Sequence, residues 1–284
     1  MKIDRAVITA AGQGQRGIPL QTLVDRDGVT RSALAIILRE IQDAGIKKIA
    51  VVVRPGDEDA YAEAAGAEAE GLTFLPQENP RGYGHALYCA REFADGEPFL
   101  HLVSDHLYLS DEAEGCARQL VEIARAESCA VSAVQATRET TLSLYGAVGG
   151  VRVPGRERLY QVEAVREKPT PTLAEQELVV PGLRAAHYLC FFGMHVLTPA
   201  VMDELERLLA AEDGKQSVSL SPALHALAAR EKYLAFEIKG NRQNIGIPYG
   251  LFHAQLALAL RGVDREEVLA EMVGQLAARE GLRA

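Results

Sequence analysis

Lysine is scarce in this chain: 7 of its 30 cationic side chains are lysines, set against 39 acidic ones. The resulting formal charge of −9 repels nucleic acid and anionic lipid, which argues against a general polyanion binder. A phosphate ligand must therefore be gripped locally, by backbone amides, a few cations or a metal. Long apolar runs are lacking as well. The best, 185–197, is interrupted by His187 and His195 and falls short of the ~18 residues of a membrane span. Residues 1–11 carry Lys2, Asp4 and Arg5 before six small or apolar residues, fewer than the roughly 7–15 of a secretory-signal core. Cys89, Cys116, Cys129 and Cys190 form no Cys-x-x-Cys pair, which reads as reduced, mostly buried thiols. The expectation is a soluble cytoplasmic protein with no membrane and no nucleic-acid partner. Repeats, low-complexity tracts and linkers between separate cores are absent too.

What is present looks globular: 284 residues, 48% apolar and 24% charged, enough for a substantial core. Short β-rich runs alternate with helical patterns. Residues 6–11 read as a buried strand, followed by a polar, glycine-bearing loop to about residue 30. Residues 32–44 place apolar side chains at 33, 34, 37, 38 and 41, a helical stripe that stops at Gly45. Strands at 48–53, 72–75, 98–104 and 129–135 then alternate with helices at 57–69, 82–93 and 111–127. That order implies right-handed crossovers and a mainly parallel, three-layer α/β/α sheet of Rossmann-like character. After residue 140 the rhythm changes. Strands at 145–153, 159–167 and 187–194 precede helices at 198–211 and 219–230, a strand at 233–239 and helices at 248–261 and 264–280. One domain, 1–284, is expected, with halves at about 1–140 and 141–250 and closing helices at 251–284.

Gly12-Gln-Gly-Gln-Arg-Gly17 matches the letters of the dinucleotide fingerprint and follows a strand. Its helix, however, does not start inside the glycine run: Ile18-Pro19 and a polar stretch intervene. The acidic ribose partner, due ~20 residues on, would fall within the 32–44 helix. Both features count against a nicotinamide site. The glycines suit a triphosphate equally well, since they let backbone amides approach its oxygens while Arg16 supplies a charged fork.

Strand, Gly-x-Gly-x-Arg-x-x-Pro (Gly12, Gly14, Arg16, Pro19) and Leu23-Val-Asp25 resemble the opening of sugar-1-phosphate nucleotidyltransferases, most of all the bacterial UTP–glucose-1-phosphate uridylyltransferases. Gln77-Glu-Asn-Pro-Arg-Gly-Tyr-Gly-His-Ala86 is similar to that family's Gln-…-Gly-Leu-Gly-His-Ala segment. Further matches follow in order: Leu102-Val-Ser-Asp105, Tyr145-Gly146, Val165-Arg-Glu-Lys-Pro169, Phe192-Gly-Met-His-Val-Leu197 and Asn244-Ile-Gly246. Each is weak alone; the ordered set, from residue 6 to about 261, is specific.

The resemblance implies a nucleotide-diphospho-sugar transferase (GT-A-like) fold. It also implies attack of a sugar-1-phosphate oxygen on the α-phosphorus of a nucleoside triphosphate, with Mg2+ as cofactor. In that reading Arg16, Asp105 and Lys168 are catalytic. Ala11, Gly12, Gly14, Gln77, Gly82 and Gly84 bind the nucleotide. Gly146, Glu167 and Lys168 bind the sugar phosphate, and Asp105 and Asn244 hold the metal. Read from the residues alone, Asp105 could also be a strand-end turn, and His101 and His106 beside it do not close a zinc set, because His101 and Asp105 share a strand face while His106 points away. His85 reads as a packing residue; His187 and His195 share a strand face, as core or sugar-pocket residues.

Two positions depart from the family pattern. The loop after Pro19 has no lysine for the phosphates, leaving Arg26 or Arg31 to substitute, and Asn244 stands where an acidic metal ligand is expected. These departures keep a second reading open, a regulatory protein that binds a nucleotide sugar without making it. The stripe Val268, Leu269, Met272, Val273 and Leu276 in the last helix packs either on its own domain or on a second subunit, as in a homodimer or homotetramer.

Overall fold

Alternation along the first strand sorts its side chains to two faces. In β1 (Arg5–Thr9), Ala6 and Ile8 enter one apolar cluster and Val7 enters another, as the two-residue period of a strand requires. The structure, a computed structural model, describes residues 1–12, 14, 16–212 and 216–281. A hairpin of β2 (Thr22–Val24) and β3 (Thr30–Ser32) leads into α1 (Ala33–Asp43). Ser32 caps α1 by accepting the Ala35 N–H at 2.9 Å, and Gly45, at φ +82°, closes it. Next come β4 (Lys48–Val53), α2 (Glu58–Ala65), β5 (Leu72–Pro76), α3 (Tyr83–Tyr88), α4 (Arg91–Ala94), β6 (Phe99–Val103) and β7 (His106–Ser110). The middle of the chain holds α5 (Cys116–Glu127), β8 (Ala130–Arg138), β9 (Ala147–Arg152), β10 (Leu159–Arg166), α6 (Pro171–Glu177) and β11 (His187–Leu197). It finishes with α7 (Ala200–Ala211), α8 (Ser221–Arg230), β12 (Tyr233–Glu237), β13 (Gly240–Asn244), α9 (Gly250–Ala259) and α10 (Arg265–Gly281).

Nine strands form one mixed sheet in the order β5-β4-β1-β6-β11-β8-β12-β10-β9. Pairing is parallel through β5-β4-β1-β6 and between β8 and β12, and antiparallel where β11 meets β6 and β8 and where β10 meets β12 and β9. Helices α1, α2, α5 and α9 cover one face, and α3, α4, α7 and α8 the other. This is the expected α/β/α layering. None of the described helices is long and apolar enough to cross a membrane.

Four expectations change. The loop to residue 30 contains the β2–β3 hairpin. The helix expected at 82–93 is broken into α3 and α4 at Cys89-Ala90. The helix expected from 111 starts at Cys116, after bends at 111–114, and the unexpected strand β7 ahead of them pairs antiparallel with β13 outside the main sheet. Of the two, β13 (Gly-Asn-Arg-Gln-Asn) was hidden by its polar composition. Finally, α10 is only half-buried at Val268, Leu269 and Met272, while Val273 and Leu276 are 64% and 63% exposed, so the stripe is not covered by its own chain.

Helix α8 lends Ser221 and Leu224 to the wall of the cavity described below, and a buried carboxylate clamps it to α7. Glu204 of α7 is 3% exposed and accepts from Arg230 of α8 and from Arg207 at 2.9 Å. The hydrogen bond from Arg230, with that from Arg207, holds its carboxyl below the usual 4.5. A depressed native value means that this stabilisation is present above the unfolded value and is lost as pH falls through the native one. Glu204→Gln should therefore lower the unfolding free energy by about 1–2 kcal/mol at pH 7. In urea titrations repeated toward about pH 3, variant and wild type should converge; a penalty of unchanged size in acid contradicts the assignment.

Candidate active site

A cavity of about 660 Å³ opens where the strand ends of β1 and β6 meet β9, β10 and β11. Ala11, Gly12, Gln77, Gly82, Asp105, Gly146, Glu167, Lys168 and Asn244 all border it. Residues separated by more than 200 positions thus meet in one space.

The glycine-loop side is held from below. The Tyr61 hydroxyl donates to the carbonyls of Ala10 and Arg16 at 3.3 and 3.2 Å, and Arg54 Nε donates to that of Ala11 at 3.2 Å. The glycine run opens no helix; the chain passes through the β2–β3 hairpin before α1 begins. The phosphate geometry of a dinucleotide fold is therefore not built. Arg16 and Gly14 do not border the cavity. The Arg16 guanidinium is drawn to Asp57, 2.5 Å away, an ion pair across 41 residues that local sequence does not announce. Arg31 is likewise taken by Asp25 at 2.9 Å, and neither it nor Arg26 lines the cavity.

Gln77 is 2% exposed. Its Nε2 donates to the Gly82 carbonyl at 3.2 Å and lies 2.9 Å from His85 Nδ1, so His85 orients Gln77 from outside the cavity. Gly82 has φ +102°, and a Cβ there would stand 2.2 Å from Ser217 Oγ and 2.6 Å from the Val218 carbonyl. Gly84 does not border the cavity; a Cβ on it would meet Leu205 and the Ser219 carbonyl, each at 2.9 Å. Its glycine serves the packing of α3 on α7 and the 216–219 segment.

On the opposite wall, Gly146 lets the Phe191 ring approach, since a Cβ would lie 2.7 Å from it. Glu167 accepts from Ser221 Oγ of α8 at 2.5 Å. Lys168 has φ +43°, a left-handed conformation that is costly for a side-chain-bearing residue ahead of a proline. That strain is paired with a cation facing a cavity. Beside this wall Arg242, 9% exposed, stacks 3.8 Å from the Tyr145 ring centroid and donates to Thr137 Oγ1 at 3.0 Å.

Asp105 sits in the turn from β6 to β7, and Asn244 ends β13, whose pairing sets Asn244 opposite His106. The Ile245 N–H donates to the Asp105 carbonyl at 2.8 Å, and the Gly246 N–H to Asn244 Oδ1 at 2.9 Å. A Cβ at Gly246 would be 3.3 Å from both Asn244 Oδ1 and Asp105 Oδ2. Two hard oxygen donors thus border one small space kept open by glycine, a donor set that suits Mg2+ completed by phosphate oxygens and water.

Sequence reasoning placed His195 in the core or the sugar pocket but missed its partner beneath the cavity floor. His101 and His195 lie directly opposite each other on β6 and β11, are 0% and 2% exposed, and stack at 5.9 Å between ring centroids. Burial pushes His101 down to about 4 and His195 well below its ordinary value. His187, expected on the same strand face as His195, lies at the far end of the strand beyond a register shift, where it is part-exposed with its Nδ1 3.0 Å from the Ala185 carbonyl. Ser221, Phe191 and Tyr83 were missed as well, because only the folded sheet brings them to the cavity.

The sequence profile of the family described as Nucleotidyl transferase matches residues 5–259. The chain is 25% identical over 301 residues to UTP--glucose-1-phosphate uridylyltransferase 2 of Staphylococcus saprophyticus, covering 97% of this chain and 98% of that one. It is 27% identical over 304 residues to UTP--glucose-1-phosphate uridylyltransferase 1 of Streptococcus pyogenes, covering 97% and 95%. Among solved structures, UTP-bound UGPase from Acinetobacter baumannii superposes with a TM-score of 0.73 at 21% identity, over 97% of this chain and 100% of that one. A UDP-glucose pyrophosphorylase complexed with UDP-glucose gives 0.73 at 20% identity, over 90% and 98%. Both share the fold.

Proposed function

The chain belongs to the Nucleotidyl transferase family, and from that premise we propose that it transfers UMP from UTP to glucose 1-phosphate, giving UDP-glucose and pyrophosphate. The observation that carries the reading is the convergence of the nucleotide-loop residues and the Glu167–Lys168 pair on one cavity with Asp105 and Asn244. The full-length match to relatives named for that reaction supports it.

In this reading an oxygen of the sugar phosphate attacks the α-phosphorus, and the α–β bridging bond breaks to release pyrophosphate. No protein group need form a covalent bond; positioning and charge neutralisation suffice. Amides at Ala11 and Gly12 donate to phosphate oxygens. Gln77, held by Gly82 and His85, meets the base. Lys168 holds the sugar phosphate, and Glu167, steadied by Ser221, accepts from sugar hydroxyls. Asp105 and Asn244 would hold the magnesium ion, which when bound supplies Lewis-acid neutralisation of the phosphates. Arg16 takes part only by leaving Asp57. The continuous sheet supports a single domain, and four unpaired cysteines support a cytoplasmic setting.

Incubation with UTP, glucose 1-phosphate and magnesium should release pyrophosphate, read by a coupled assay. Asp105→Ala should remove the activity by at least about 100-fold, and Lys168→Ala should chiefly raise the KM for sugar phosphate. No pyrophosphate from any common triphosphate and sugar phosphate would contradict the enzyme reading and leave a binding protein. We also infer a homodimer or homotetramer built on α10, whose Val273 and Leu276 are uncovered. Light scattering should give a multiple of 30.7 kDa, and Val273→Glu with Leu276→Glu should bring it to the single-chain mass; a monomeric wild type contradicts this.

A further inference from the structure

Two buried hydrogen-bond relays end at the floor of the cavity. In the first, His101 Nδ1 lies 3.0 Å from the Val7 carbonyl and its Nε2 lies 2.7 Å from the Tyr83 hydroxyl. A carbonyl only accepts, so Nδ1 carries the proton. In the neutral ring Nε2 then accepts, and the Tyr83 hydroxyl must donate to it. Tyr83 borders the cavity, and with its proton committed, its oxygen offers only lone pairs.

In the second relay, Ser132 Oγ is 2.5 Å from both His195 Nδ1 and the Tyr233 hydroxyl. Ser132 and Tyr233 are 0% exposed, and the Tyr233 hydroxyl has no other partner among the described residues. If His195 donated from Nδ1, Ser132 would donate to Tyr233 and strand the buried tyrosine proton, at the cost of an unmet donor. The opposite direction satisfies every proton: Tyr233 donates to Ser132, and Ser132 donates to Nδ1. His195 then carries its own proton on Nε2, the atom with no protein partner among the described residues, at the cavity edge.

We propose that Tyr83 Oη and His195 Nε2–H form an uncharged acceptor–donor pair that reads hydroxyl groups of the sugar, making these two residues specificity determinants of the transfer. His195 belongs to the sugar side by its neighbours, and Tyr83 reaches it through His101, which stacks on the His195 ring. His195 packs edge-on to Phe191 at 4.9 Å between centroids, Phe191 packs on Gly146, and Glu167 and Lys168 border the same cavity. A hydroxyl can donate to one atom and accept from the other. A phosphate oxygen, an acceptor only, satisfies just the donor and is repelled by the lone pairs of Tyr83. Both histidines are kept neutral by burial, so the floor does not compete with Lys168 for phosphate.

The inference rests on the nucleotide-sugar reading of the cavity, and calorimetric titration separates the two. Wild-type protein is titrated with UDP-glucose and with UDP, and the ratio of the two affinities is compared in Tyr83→Phe and His195→Phe. Both variants keep the aromatic packing. The expected result is a ratio reduced about tenfold in each, the equivalent of one lost hydrogen bond of roughly 1.4 kcal/mol, with UDP affinity within twofold of wild type. In turnover, the KM for sugar phosphate should rise while that for UTP stays put. A merely structural role would weaken UDP and UDP-glucose alike or leave the ratio unchanged, and either result overturns the inference. Tyr83→Phe deletes a single oxygen and decides the question if His195→Phe does not fold. If wild type binds neither ligand, the proposed function fails instead.

Discussion

The antiparallel pairing of β7 with β13 is the contact on which the site depends. It runs from Gly240 opposite Ser110 to Asn244 opposite His106, and it brings Asn244 to Asp105 from the far end of the chain. Neither strand belongs to the nine-stranded sheet. Their ladder is instead anchored by the apolar side chains Leu107, Tyr108 and Leu109, which enter the core cluster beneath α1 and α5. Gly246 completes the arrangement by leaving out the Cβ that would fill the space between the two oxygens.

Around that pair the cavity divides by charge. The net charge of −9 makes phosphate unwelcome over most of the surface, and Arg16, Arg31 and Arg54 are engaged with Asp57, Asp25 and the Ala11 carbonyl. Among the described residues, Lys168 borders the cavity with no ion pair of its own, and the other bordering cation, Arg81, spends its Nη2 on the Leu209 carbonyl at 2.7 Å. The floor is neutral, because burial removes the charge from His101 and His195. The cavity thereby holds a cationic surface at Lys168 and an uncharged one at Tyr83 and His195 within one volume.

Much of this was legible in the sequence where a short apolar run or a helical period stands out. The runs Ala6–Thr9 and Lys48–Val53 and the 3.6-residue stripe at 33–41 each form the expected element. The ordered motifs located Gln77, Asp105, Gly146, Glu167 and Lys168, all of which border the cavity. What stayed hidden depends on partners far along the chain. The strand Gly240–Asn244 has no apolar alternation and becomes a strand only because β7 lies beside it. The ion pair of Arg16 with Asp57 overrides the local motif that marked Arg16 for phosphate. His101 and His195 become neighbours only through the β6–β11 register, and Ser221, which reads as the start of a helix, turns out to hold Glu167.

We propose that Asp105 and Asn244 form a single divalent-cation site, which supplies the phosphate neutralisation that a lysine in the loop after Pro19 would otherwise give. Calorimetric titration of UTP with and without magnesium tests it most directly. The account predicts UTP binding at least about tenfold tighter with magnesium in the wild type, and loss of that gain in Asp105→Asn. Equal UTP affinity in wild type with and without magnesium would contradict it.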